Sequence, residues 1–374
     1  MIASMLRRFP ALRWRPICLF GGCLGLLVSG ACATVAANPT RYRHPAQPFQ
    51  ISFDRDGYIL DEQGSREGSE VRLEEVTREI NRAAESTGAH RPVVLLIHGT
   101  SPGIPAYQLM EDQFQREYFP EGDVVFVEIY WPGGQFGRDR HPWGFAQHNS
   151  YGAGLGVRRV LNRINADVPV RILTHSMGGG VAAGALWNVV SKVQTNRPSL
   201  LRWRQEYLAA IDSIPTPALS DIRVAMLVPS IPGCTFDDFR RPAPAVDPFN
   251  YALEAPSALG CGFGSDSIHS PVLRPNIRRI VIGYSPNDLV IEKGLRACRW
   301  VGVSCLGSRY DEFERYVEPV GRFGTEVVAV QITTRPELRQ RRGLLATEAH
   351  WFIDYVQNPN NRRVFDLLFR DPPQ

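Results

Sequence analysis

Apolar residues along the chain fall into two recurring patterns. Val93 to Ile97 is an unbroken aliphatic run, and Val124 to Val127 with Ile129 is a second. Runs of this kind, without polar alternation, suit parallel strands covered on both faces by helices. The same grammar returns at Val170–Leu173, Ile222–Val228, Ile280–Tyr284 and Val327–Ile332. The other pattern is helical: between Val71 and Ala84, the residues Leu73, Val76, Ile80 and Ala83 recur at helical spacing with charges between them. Strands alternating with helix-like segments predict an α/β chain with a mainly parallel central sheet flanked by helices. Ahead of these, Phe49, Ile51 and Phe53 alternate with polar residues, Asp54 to Gly57 carries turn chemistry, and Tyr58 to Leu60 resumes the apolar pattern. That order predicts an opening hairpin.

Two intervals break the alternation. Pro132–Gln147 is rich in Gly, Pro and aromatics, and the stretch 229–278 holds Phe236, Phe239, Phe249, Tyr251 and Phe263 among many prolines. Long loops inside a compact domain are usually functional or disordered. The second interval reads as a loop-rich cap inserted into one domain of residues 49–374, with a plain surface excursion as the alternative. Residues 38–48 are short of apolar groups and read as a linker ahead of that domain.

Residues 1–37 carry Arg7, Arg8, Arg13 and Arg15, then an apolar run from Ile17 to about Val28, then small residues through Ala37, with no acidic residue. This is the composition of a secretory leader. Ala31-Cys32-Ala33 offers a cleavage site, and Ser29-Gly30-Ala31-Cys32 is a degenerate lipidation box. Ile17 to Ala37 is also long enough to remain as a helical anchor across roughly 30 Å of bilayer. All three readings make the protein exported, either periplasmic or attached to a membrane through this segment. The formal charge of +4 is matched by the four leader arginines, so the mature chain is near neutral. A near-neutral body argues against nucleic acid as a partner.

Of seven cysteines, Cys18, Cys23 and Cys32 lie in the leader, and Cys234, Cys261, Cys298 and Cys305 remain. Four in an oxidising compartment suggest two disulfides. Three pairings are open; closeness in the chain favours Cys298 with Cys305, which leaves Cys234 with Cys261, and four separate thiols are the alternative. No C-x-x-C or Cys/His cluster argues for a metal.

The chemistry concentrates at Thr174-His175-Ser176-Met177-Gly178-Gly179-Gly180, directly after the strand Val170–Leu173 and before a helix starting near Gly179. Strand, sharp turn and helix is the context of a nucleophile elbow, in which small residues flank the turn so that strand and helix can approach. Gly178 meets that need, whereas the branched Thr174 is expected to crowd the turn. The helix N-terminus directs positive partial charge at Ser176, which favours an oxyanion there. His98-Gly99-Thr100 ends the first aliphatic run, where the second half of an oxyanion hole belongs; the backbone N–H groups of Thr100 and Met177 are the expected donors. His98 itself is read as fixing that loop by hydrogen bonding. Asp288 follows the strand Ile280–Tyr284 as the expected acid, with Asp237 or Asp238 as the rival. His350, beyond the last strand, is the expected base, completing the order Ser, Asp, His.

These residues resemble a group of bacterial α/β-hydrolases with a lipase-like His-Ser-Met-Gly elbow, over roughly Pro92 to Asp354. The resemblance rests on His98-Gly99, Tyr130-Trp131-Pro132, Thr174 to Gly180, the Ala225–Gly233 strand end with Thr235 to Phe239, Tyr284 to Leu289, and His350-Trp351-Phe352. It implies the α/β-hydrolase fold, a triad of Ser176, Asp288 and His350, an acyl-enzyme intermediate with water as final acceptor, and no cofactor. The expected substrate is a small-molecule or lipid acyl ester. A peptidase or amidase on the same triad and a non-catalytic binding module on the same fold are the alternatives.

Overall fold

The computed structural model describes residues 49–85, 90–99, 107–133, 142–187, 206–207, 209–211, 213–231, 235–236, 277–286, 288, 306–308, 310–334 and 351–371. The strands are β1 (Gln50–Ser52), β2 (Val93–Ile97), β3 (Val125–Tyr130), β4 (Val170–His175), β5 (Ile222–Leu227), β6 (Ile277–Tyr284) and β7 (Glu326–Gln331). The main helices are α1 (Ser69–Glu85), α2 (Tyr107–Tyr118), α3 (Pro142–Leu161), α4 (Gly178–Leu186), α5 (Phe352–Val356) and α6 (Arg362–Phe369). Among the described residues the seven strands join one sheet in the order β1-β3-β2-β4-β5-β6-β7, with each neighbouring pair parallel. The protein is therefore an α/β structure, as the unbroken apolar runs predict, and every residue of β2, β4 and β5 is buried.

Right-handed crossovers distribute the helices over the two faces of this sheet. Steps from β1 to β2 and from β3 onward run in one direction across the sheet, whereas β2 to β3 runs the other way. Accordingly α1, α3 and α4 supply Leu73, Ile80, Val157 and Val181 to one core together with Leu95 and Ile172. On the opposite face α2, α5 and α6 supply Met110, Phe114, Tyr355 and Phe365 to a second core, with Leu96 and Leu173. The direction of travel reverses between β2 and β4, which makes their carboxyl ends the topological switch point, the place where open α/β sheets hold ligands.

One sequence expectation is extended and two change. The opening hairpin is present as one antiparallel bridge, Phe53 to Ile59, with the Asp54 N–H donating to the Tyr58 carbonyl and the Leu60 N–H to the Ser52 carbonyl, and β1 in addition pairs parallel with β3. Asp54 closes the intervening turn by accepting from the N–H groups of Asp56 and Tyr58, and β3 satisfies the strand itself, with Phe53 donating to the Tyr130 carbonyl. The last residues of the Gly/Pro-rich interval Pro132–Gln147 are helical: α3 opens at Pro142, where a fixed φ and a missing N–H suit the first helical position. β6 begins at Ile277, so the final two positions of the interval 229–278 belong to the strand. At its other end Phe236 is fully buried against Trp187, whose indole N–H donates to the Thr235 carbonyl. Positions 232–234 and 237–276 of the expected cap, residues 1–48 and all seven cysteines lie outside the described residues. No helix among the described residues is long and apolar enough to cross a membrane.

Candidate active site

β4 ends at His175 and α4 begins at Gly178, which leaves Ser176 and Met177 to reverse the chain. Ser176 does so with φ at 54°, in the left-handed region that non-glycine residues seldom occupy. The turn is held from both sides: the Ser176 N–H donates to the Leu227 carbonyl, continuing the β4–β5 ladder, and its own carbonyl accepts from the N–H groups of Gly179 and Ser230. Thr174 lies wholly buried in β4, in register with Ile97 and Met226, so its branched side chain is housed in the strand below the turn.

Close approach explains the glycines beside the turn. A Cβ on Gly178 would stand 2.6 Å from the His98 carbonyl oxygen, and one on Gly99 would stand 2.9 Å from the Ser176 Cβ. The start of α4 is thereby pressed against the end of β2 across the switch point. Met177 precedes the helix with no side-chain cap, and the Gly179 and Gly180 N–H groups donate to the Ser176 and Met177 carbonyls. The positive end of the helix dipole lies beside Ser176 and favours a negative charge there.

His98 ends β2 as a scaffold residue. Its Nδ1 donates to the Gly99 carbonyl at 2.6 Å and its Nε2 accepts from the Trp131 backbone N–H at 3.3 Å. The ring stacks on the Trp131 indole, which donates to the His98 carbonyl. Burial pushes the imidazole down to about 4, so it is neutral at physiological pH, with both nitrogens occupied.

Asp288 lies beyond the carboxyl end of β6, 2% exposed. Its N–H closes a turn on the Ser285 carbonyl, and its carboxylate accepts from the phenol of Tyr355 on α5. Burial first, and then the Asp288 charge, raise Tyr355 well above its usual range, so the phenol keeps its proton and stays a donor. The same short helix stacks Phe352 on His175, with ring centroids 5.3 Å apart, and tilts Tyr355 against that imidazole. α5 thus touches both the residue before Ser176 and the carboxylate of Asp288. Of the expected site residues, Ser176, Met177 and Asp288 are described at these carboxyl ends; Thr100 and His350 lie outside the described residues, as do Asp237 and Asp238.

No family model and no curated protein matches the chain.

Two neighbours of the site carry no motif. Ser230, two residues past Val228 on the chain leaving β5, brings its Oγ to 3.0 Å from that of Ser176 and is itself buried. Val228 has φ at 41°, and a left-handed conformation disfavours an L-residue by about 1–2 kcal/mol. Ser230 and Tyr355 are each visible in sequence only through position: one just past a strand that neighbours β4, the other three residues along a helix from Phe352.

Proposed function

We propose that the protein is a serine hydrolase of the α/β-hydrolase fold that cleaves a carboxylic ester through Ser176, Asp288 and His350. The observation that carries this reading is Ser176 itself, at φ 54° on a two-residue strand-to-helix turn. A strained residue in a functional crevice indicates that the surrounding structure fixes it for a task. The crevice is the switch point of the sheet, and the residue is a hydroxyl nucleophile facing the start of a helix.

In this mechanism the Ser176 Oγ attacks the acyl carbon while His350 takes its proton, and a tetrahedral oxyanion forms. The backbone N–H groups of Met177 and Thr100 stabilise the oxyanion. His350 then passes the proton to the departing alcohol, and water releases the acyl group by the same steps in reverse order of roles. Asp288 orients the imidazole and stabilises its cation. Two contacts of α5 support the assignment of His350: Phe352, two residues further along, stacks beside Ser176 on His175, and Tyr355 holds Asp288. His98 is not a rival base, because a neutral ring with both nitrogens engaged accepts no further proton. The basic and apolar leader supports export, and with it a substrate met outside the cytoplasm.

Hydrolysis of p-nitrophenyl esters of increasing acyl length is the test. Turnover by the native protein and none by Ser176→Ala is the expected result; equal turnover by the two would overturn the assignment.

A further inference from the structure

We infer that Ser230 is a positioning residue for Ser176: its hydroxyl donates to the Ser176 Oγ and lowers the barrier to removing the Ser176 proton. This rests on Ser176 being the nucleophile. The two oxygens stand 3.0 Å apart, both on buried residues. A serine hydroxyl offers one proton and two acceptor lone pairs. When the Ser176 proton faces the base that removes it, only the Ser230 hydroxyl has a proton for this contact. The hydrogen bond then strengthens as Ser176 Oγ gains negative charge, since bonds to a charged acceptor are the stronger ones. An interaction that grows between ground state and transition state accelerates the reaction.

A purely structural tie does not account for this arrangement. The carboxyl ends of β4 and β5 are already joined by two backbone hydrogen bonds, Ser176 N–H to the Leu227 carbonyl and Ser230 N–H to the Ser176 carbonyl. The chain reaches Ser230 only by holding Val228, a buried β-branched residue, at φ 41°. A β-branched side chain is a true outlier in that region. The strained turn is clamped from outside as well: the Val228 N–H donates to the Gly283 carbonyl, Gly307 donates to the Pro229 carbonyl, and Gly307 in turn accepts from Ser285 on the way to Asp288. Two non-glycine residues of the described structure are left-handed, Ser176 and Val228, and they flank the same pair of hydroxyls. Strain confined to one crevice, at the ends of neighbouring strands, points to a geometry required by the chemistry.

The test compares the native protein with Ser230→Ala, Ser230→Thr and Ser176→Ala by the rate of fluorophosphonate labelling from acid to alkaline pH, by kcat and KM on one p-nitrophenyl ester, and by thermal midpoint. Ser230→Ala is expected to slow labelling and lower kcat about tenfold, with KM and the thermal midpoint unchanged, and Ser230→Thr to restore both rates. Labelling of Ser230→Ala at the native rate and pH dependence overturns the inference. So does a loss shared by Ala and Thr that follows a lowered thermal midpoint. Should Ser230→Ala not fold, Ser230→Cys decides: with a weak donor in the same volume, slow labelling supports the inference and native labelling overturns it. A native protein that is not labelled, or a Ser176→Ala protein that is, fails at the earlier step and rejects the nucleophile itself.

Discussion

At the amino ends of β4, β5 and β6, Arg171, Arg223 and Arg279 stand in register on three neighbouring strands. All three are buried, and each guanidinium is met by charge or carbonyl. Arg171 donates to Asp221 at 2.8 Å, Arg223 to Asp371 and the Arg370 carbonyl, and Arg279 to Glu326 and the Leu367 carbonyl. Desolvation and the neighbouring Arg223 lower the Arg171 pKa and Asp221 opposes them, while carbonyls at the C-terminal end of α6 receive Arg223 and Arg279. The carboxyl ends of the same strands are built differently. There the polar groups are the paired hydroxyls of Ser176 and Ser230, the His175 imidazole and the buried Asp288 carboxylate, and the backbone turns through left-handed residues. One end is charge-paired with relaxed backbone and serves as a foundation; the other stores strain that the foundation can support. Changes at the two ends should therefore separate stability from activity.

The largest effect belongs to the carboxyl end. Asp288→Asn should lower kcat about 10³- to 10⁴-fold, as loss of the orienting acid does, while denaturant unfolding shifts little because the amide still accepts from Tyr355. A fall in stability without a fall in kcat would erase the distinction between the two ends. Next comes the arginine ladder. Arg223→Met strands Asp221 beside an incomplete set of partners and should destabilise by about 3 kcal/mol in urea unfolding, with kcat of the folded protein retained.

His98 sharpens the contrast through pH. Its pKa is about 4 in the folded protein and near 6.5 when exposed, so the unfolded chain binds the proton first. Stability from this group is complete above about pH 6.5, declines as the pH falls, and is lost by about pH 4, a total near 3 kcal/mol. His98→Gln should flatten that part of the stability profile measured by urea unfolding from pH 7 to pH 4. The smallest effect is expected from Tyr355→Phe, which removes one donor to Asp288: kcat should fall about tenfold or less, and stability by about 1–2 kcal/mol.

How much of this was legible in the sequence depends on the kind of residue. The inner strands announce themselves, because a strand buried on both faces has to be apolar throughout, as Val93–Ile97 and Ile222–Leu227 are. The elbow was legible for a similar reason: a turn this tight requires Gly178, and its place between strand and helix is unmistakable. α3 was hidden because Gly152, Gly154 and Gly156 weaken any helical pattern. Their reason is tertiary: a Cβ on Gly154 would stand 2.7 Å from the Val181 carbonyl of α4. Phe53 at the end of β1 closes the predicted bridge to Ile59, and β1 also pairs with β3, a partner far along the chain that local alternation cannot reveal. Ser230 was invisible for the same cause, since its function depends on β5 lying next to β4 and on a backbone angle at Val228 that no composition encodes. Which histidine serves as scaffold was a matter of burial, and the two hydrogen bonds of His98 agree with its reading as a loop-fixing residue.

The central claim is that a strained, buried serine at the switch point is the reacting group. Treating the folded protein with a fluorophosphonate and locating the adduct by peptide mass spectrometry tests it most directly. The account predicts one adduct, on the peptide carrying Ser176, that is absent from Ser176→Ala and from urea-unfolded protein. An adduct on Ser230 or elsewhere, or none on the folded protein, would contradict it.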